Sequence, residues 1–150
     1  DMVFVEIYKN NHVKKEMVIG EHEGLAFYTI GQRVSVNLPK EIQSENSESL
    51  FVAVKDFKNN RLLVTFKDSS LLYSKSAIVK EVNWISGQKP EFPLKCKVRL
   101  RHRQELQDCE IEEMSDIIKI KFTNPQRAVA SGQFAVFYLK DECLGGGVVD

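Results

Sequence analysis

No stretch of the chain approaches the roughly 18–20 consecutive apolar residues that cross a bilayer as a helix, and no signal-peptide pattern opens it. It reads as soluble, with no membrane partner. Cysteine is scarce: Cys96, Cys109 and Cys143 form an odd set without a CxxC spacing, which argues against a disulfide scaffold or a zinc site. The expectation is reduced, mostly buried thiols in an intracellular protein, and no metal. An excess of charge of one sign is also lacking, because 21 basic residues balance 21 acidic ones. A polyanionic partner must therefore be argued from where the cations sit, not from how many there are. Helical periodicity is almost absent, and no sequence segment repeats.

What is present is a β-pattern. Apolar residues make up 43% of the 150 positions, enough for a buried core in one ordinary domain or two small ones. Short runs rich in Val, Ile, Phe and Tyr recur between turn residues, which predicts an all-β chain. Strands are expected near 2–8, 13–19, 25–30, 50–56, 61–66, 77–85, 94–103, 108–114, 117–122, 134–139 and 143–149. The pair 50–56 and 61–66, joined by Phe57-Lys58-Asn59-Asn60, reads as a hairpin whose turn admits positive φ at Asn. Residues 40–49 are polar and predict an exposed loop, while 67–76 are the best junction between two units, 1–73 and 74–150. Six strand signals in the second unit suit a closed antiparallel barrel, which leaves no open edge. The opening Asp1-Met2-Val3-Phe4 enters a strand pattern at once, as expected of a piece of a longer protein.

Cations concentrate in one place. Lys95, Lys97, Arg99, Arg101 and Arg103 occupy alternate positions, with Leu94, Cys96, Val98, Leu100 and His102 in the other phase. On a strand this arrangement would put all five charges on one face, a ridge of about 26 Å at ~3.3 Å per residue. Such a ridge could follow several phosphates of an RNA backbone, with Arg suited to bidentate contact. Asp108, Glu110 and Glu112 alternate on the next expected strand, so cross-strand ion pairs could equally absorb the basic face. From the pattern alone both readings stand.

Four ordered segments resemble the C-terminal half of the MnmA/TrmU family of tRNA 2-thiouridylases. They are Gly20-Glu21-His22-Glu23-Gly24-Leu25-Ala26-Phe27-Tyr28-Thr29-Ile30-Gly31-Gln32-Arg33, then Val82-Asn83-Trp84-Ile85. The third is Lys97-Val98-Arg99-Leu100-Arg101-His102-Arg103-Gln104 followed by Cys109. The fourth runs through Pro125-Gln126-Arg127-Ala128-Val129 and Gly132-Gln133-Phe134-Ala135-Val136-Phe137-Tyr138 to Cys143-Leu144-Gly145-Gly146-Gly147. Together they span nearly the whole chain from Gly20 onward.

The resemblance implies a small central β domain followed by a tRNA-binding β-barrel. In the family, ATP-dependent adenylation of the wobble uridine and sulfur transfer from a cysteine persulfide take place on an N-terminal PP-loop domain. No such phosphate loop occurs here, and none of the three cysteines matches a catalytic one. This part alone is thus expected to be non-catalytic and cofactor-free, with ATP and a persulfide donor belonging to the full-length enzyme. Implied partners are tRNA, the chain's own PP-loop domain, and a sulfur-relay protein or cysteine desulfurase. Implied localisation is the cytoplasm of a bacterium, or the mitochondrion of a eukaryote. The family's tRNA contacts fall on Arg101, His102 and Gln133, with Arg103, Gln104, Arg99 and Lys97 in the same run. His102 stands where the family has Tyr, and Ser131 where it has Pro. Gln32 and Arg33 would face the active-site entrance.

Blander readings accompany these. Gly31-Gln32-Arg33 also fits a plain turn, and His22 fits a hydrogen-bonded structural histidine. Gln126 and Arg127 would pin a loop, Trp84 would be core, and Gly145-Gly146-Gly147 would mark crowding at a barrel strand, not a phosphate loop. Phe134, Val136 and Tyr138 against Ala135 and Phe137 predict a strand buried on both faces. Two further function classes remain open: a stand-alone RNA-binding barrel, and a protein-interaction barrel without catalysis.

Overall fold

The computed structural model describes residues 2–9, 13–36 and 49–150, with backbone alone up to residue 16. Most of the polar 40–49 segment lies outside the described residues. The chain forms two compact units, Asp1–Tyr73 and Ser74–Asp150.

The first unit holds β1 (Met2–Lys9), β2 (Val13–Gly20), β3 (Arg33–Val34), β4 (Leu50–Asp56) and β5 (Arg61–Phe66). They make one sheet in the order β2-β1-β5-β4-β3. β1 runs parallel to β5, and the other pairs are antiparallel. β4 and β5 form the expected hairpin, with Asn60 at φ 51 in its turn. A bulge between Val52 and Val54 shifts the register, so Val52 and Ala53 are both buried although adjacent. Leu25, Leu50, Val52, Leu62 and Val64 form the core of this unit.

The strand expected at 25–30 does not form. Leu25–Phe27 is a single 3₁₀ turn. Gly24, at φ 132, turns the chain, and its N–H is taken by His22 Nδ1 at 3.1 Å. The N–H groups of Phe27 and Tyr28 then bond back to Gly24 and Leu25 carbonyls, so neither is left for a ladder.

The second unit contains β6 (Tyr73–Trp84), β7 (Leu94–Arg99), β8 (Gln107–Met114), β9 (Ile117–Arg127), β10 (Phe134–Leu139) and β11 (Glu142–Val149). They close into a six-stranded antiparallel barrel in the order β10-β11-β6-β9-β8-β7. Val79, Val98, Ile111, Ile120, Ala135 and Phe137 fill it, each fully buried, and Trp84 stacks on Phe137 with ring centroids 6.0 Å apart. β6 begins at Tyr73, earlier than its apolar pattern suggested, and carries a positive φ at Glu81 opposite a register shift in β11. Gly145–Gly147 sit inside β11, where a Cβ would strike the carbonyl oxygens of Asn83, Ala135 and Lys80 in turn. The three glycines let neighbouring backbones approach; they do not cradle a ligand.

Candidate nucleic-acid interface

The alternation of β7 is real but shorter than expected. Lys95 and Lys97 are exposed, Arg99 is half-buried, and Cys96, Val98 and Leu100 face the core. The strand stops at Arg99 because Leu100 donates its N–H to Gln104 Oε1 at 2.9 Å, taking it out of the ladder. Gln104 N–H then returns to the Arg101 carbonyl at 3.1 Å, and Arg103 adopts φ 65. Arg101, His102 and Arg103 thus ride on a turn, and His102 is exposed, not core-facing. The single ridge of five cations is therefore corrected to two groups. Lys95, Lys97 and Arg99 lie on a strand face of about 13 Å, and Arg101, His102 and Arg103 lie on the turn beyond it.

That turn meets the β9–β10 connection. Arg101 Nη2 donates to the carbonyls of Arg127 at 2.9 Å and Ala128 at 2.7 Å. Gln133 Nε2 donates to the same Ala128 carbonyl at 3.4 Å, and its Oε1 accepts from Ala130 N–H at 3.0 Å. Arg101, His102 and Gln133, which are 32 residues apart at the extremes, converge on one end of the barrel. Local sequence dictates part of this: Gly132 at φ 88 and Ala128 at φ 55 let the connection fold back on itself.

An amide chain underlies the convergence. Gln104 Nε2 donates to Gln126 Oε1 at 3.3 Å, and Gln126 Nε2 donates to Gln107 Oε1 at 3.2 Å and the Asn124 carbonyl at 2.9 Å. Gln126 is buried, so its amide is satisfied inside the protein and pins the loop. Gln104 uses both ends of its amide internally, and its carbonyl accepts from Arg99 Nε at 2.8 Å. It shapes the turn instead of presenting a free amide. Among the described residues, no protein partner engages the His102 or Arg103 side chains, and both are exposed. Glu105 is the nearest exposed acid along the turn, so the local charge is positive although the chain is neutral overall.

The face along β7 differs. Lys97 pairs with Asp108 at 3.0 Å across the strand, and Lys95 lies opposite Glu110. Lys121 pairs with Glu112 at 2.6 Å; the hydrogen bond from Lys121 holds the Glu112 carboxyl below its usual range, and the same bond raises Lys121. Arg99 lies 5.6 Å from the Tyr138 ring centroid. An open cavity of about 580 Å³ on this side is lined by Lys95, Lys97, Asp108 and Glu110 together, a mixed-sign surface.

In the first unit, Gln32 Oε1 accepts the Thr29 N–H at 2.9 Å, closing a turn whose Gly31 has φ 84. Arg33 is exposed on β3. His22 is buried: it accepts from Gly24 N–H at Nδ1, and its Nε2–H donates to the Asn60 carbonyl at 3.1 Å, which identifies a neutral structural ring.

Cys96 and Cys109 face each other across β7 and β8, Sγ to Sγ 3.8 Å, both buried and free. The hydrogen bond to Cys96 and then burial push the Cys109 thiol up, away from thiolate reactivity. No group of three or more metal-ligating side chains occurs among the described residues. The glycine run Gly145–Gly147 lies within β11, against neighbouring backbone.

Sequence reasoning missed one residue here. Phe134 was expected inside a doubly buried strand, yet its side chain is 69% exposed. Phe134–Tyr138 are all apolar, so period alone did not mark the outward phase; in the barrel only the Ala135 and Phe137 phase of β10 is fully buried.

The molecule is thus a small mixed β-sheet unit and a closed β-barrel whose one end gathers cationic and amide side chains. Residues 74–149 match the family described as "Aminomethyltransferase beta-barrel domain", and residues 9–65 match "tRNA methyl transferase PRC-barrel domain". The tRNA-specific 2-thiouridylases MnmA of Francisella tularensis subsp. novicida (strain U112), subsp. tularensis (strain WY96-3418) and subsp. holarctica (strain LVS) are similar to it. Each is 39% identical over 146 residues, covering 96% of this chain. The chain belongs to the MnmA/TrmU tRNA 2-thiouridylase family, matching its C-terminal part. It spans 39% of the length of these curated relatives.

Proposed function

We propose that this chain is the tRNA-gripping, non-catalytic part of a tRNA 2-thiouridylase. The observation that carries the reading is the meeting of Arg101 and Gln133 on the Ala128 carbonyl, which displays His102 and Arg103 outward from the same end. Arg101, His102 and Arg103 would contact tRNA phosphates, with Gln133 beside them. Gln104 and Gln126 position the turn, Arg99 supports it, and Lys97 contributes at the margin because Asp108 already pairs with it. Gln32 and Arg33 would serve the active-site side of the first unit. ATP-dependent adenylation of the wobble uridine and transfer of persulfide sulfur belong to a PP-loop domain of the same enzyme, supplied by a sulfur-relay protein or cysteine desulfurase. Such an enzyme would work in the cytoplasm of a bacterium, or in the mitochondrion of a eukaryote.

A competing reading is a protein-interaction barrel, favoured by the ion pairs that neutralise the β7–β9 face. Titration of the chain with a tRNA transcript across ionic strength separates the two. Phosphate contacts give a log–log slope of roughly −0.7 to −0.9 per contact. Arg103→Ala should weaken binding and flatten that slope by about one contact, and Arg101→Ala should do so more strongly because it also loosens the Ala128 loop. A folded double variant that binds tRNA like the parent would remove the assignment. The same preparation should release no phosphate from ATP.

A further inference from the structure

β10 and β7 run antiparallel with Val136 opposite Arg99 and Tyr138 opposite Lys97. β7 ends at Arg99, and beyond it the link runs through Ala128: Gln133, next to Phe134, donates to the same carbonyl that takes Arg101 Nη2. The outward row of β10 is Phe134, Val136 and Tyr138.

The two rings on this surface are in different states. Tyr138 is covered, with the Arg99 guanidinium 5.6 Å from its centroid. Phe134 is 69% exposed and next in sequence to Gln133, which shares the Ala128 carbonyl with Arg101. Its strand neighbour on the other side is Val148, too small to cover a phenyl ring. Among the described residues Phe27, Phe57 and Tyr73 are exposed as well. Phe57 already has the Lys55 ammonium over it at 5.5 Å, and Phe27 follows the 3₁₀ turn of the other unit. Phe134 opens the strand that follows Gln133, at the end of the barrel to which Arg101 of the His102–Arg103 turn is tied through Ala128.

A ring standing in water gains when an apolar or π face covers it. The surroundings select the occupant. Arg101, His102 and Arg103 favour a polyanion, while Glu105 is the one exposed acid on the turn, and the nearby Asp150 is already paired with Lys80 at 2.7 Å. A polyanion that also offers flat apolar faces is a nucleic acid with an unpaired base. We propose that Phe134 is a stacking platform for an unpaired base of the bound RNA, set beside the phosphate contacts of Arg101, His102 and Arg103. The proposal rests on the tRNA-binding reading and adds to it a preference for unpaired over duplex RNA at this end of the barrel.

The test compares the parent chain, Phe134→Ala and Phe134→Trp, each titrated with a tRNA transcript and with a fully paired RNA duplex of similar length. Phe134→Ala should weaken tRNA binding roughly 5- to 100-fold, the range of one lost base stack. Its salt slope should stay unchanged because no phosphate contact is removed. Duplex affinity should not move, and Phe134→Trp should restore tRNA binding. Equal tRNA affinity for Phe134→Ala and the parent overturns the proposal, and so does a parallel loss for tRNA and duplex. A parent chain that binds no tRNA defeats the underlying assignment itself, and this inference with it. An unchanged thermal midpoint for Phe134→Ala, expected for so exposed a ring, shows that the fold is intact.

Discussion

Asp56 shows how much one side chain can settle. Its carboxylate accepts from Asn59 Nδ2 at 2.8 Å, from Arg61 Nε and Nη2 at 3.0 and 2.9 Å, and from the Asn59 N–H at 3.1 Å. The Asn59 side chain first, then Arg61, lower its pKa from 3.8 to about 2. Because the folded value lies below the unfolded one, the stabilisation is complete above about pH 4 and is lost as pH falls toward 2. Asp56→Asn should therefore lower the thermal midpoint at pH 7, and the gap from the parent should close in melts run down to pH 2. A gap that stays constant with pH would assign the effect to turn shape and not to charge. Sequence made the turn legible through Asn59-Asn60, and it made Arg101, His102 and Gln133 legible through their motif. It did not show that Gln104 is spent inside the protein, because that depends on Gln126, which is 22 residues away.

At the scale of elements, strand ends and strand crowding set the site. β7 ends where a side-chain amide outbids the ladder for the Leu100 N–H, so the last cations move onto a turn and can converge with the β9–β10 connection. β11 meets its neighbours through glycine. A Cβ on Gly146 would fall against the Ala135 carbonyl oxygen and within 3.2 Å of Val136 Cα, both backbone atoms of β10. Gly146→Ala should cost at least the ~1–3 kcal/mol typical of overpacking, read as a lower urea midpoint. Gly20→Ala, whose added methyl would sit 3.5 Å from Val36 Cγ1, is the matched control and should be nearly neutral. Comparable losses at both positions would show that β10 and β11 can part cheaply. The same strand β10 begins at Phe134, directly after Gln133, so spacing in the barrel wall and geometry at the site are linked.

The whole molecule comprises two units with separate cores, one around Val52 and Val64 and the other around Val98, Ile120 and Phe137. Closure of the barrel pairs all six of its strands without an exposed edge. We propose that the units are independent domains, with the tRNA contacts carried by the second. Residues 74–150 expressed alone should then unfold in one cooperative urea transition and retain the salt-dependent tRNA binding of the whole chain. A broad, non-cooperative melt of that piece would show that the barrel needs the first unit to fold.

Sequence by itself determined the β character, nearly every strand of the barrel, the hairpin at Asn60 and the family, because these rest on local period and on ordered motifs. Tertiary structure alone decided where β7 stops, that Leu25–Phe27 turns, that β1 lies parallel to β5, and that Phe134 faces water. The physical reason is the same in each case. Period-two alternation says which side chains share a face, but only long-range hydrogen bonds and neighbouring strands decide how far the face extends and what covers it.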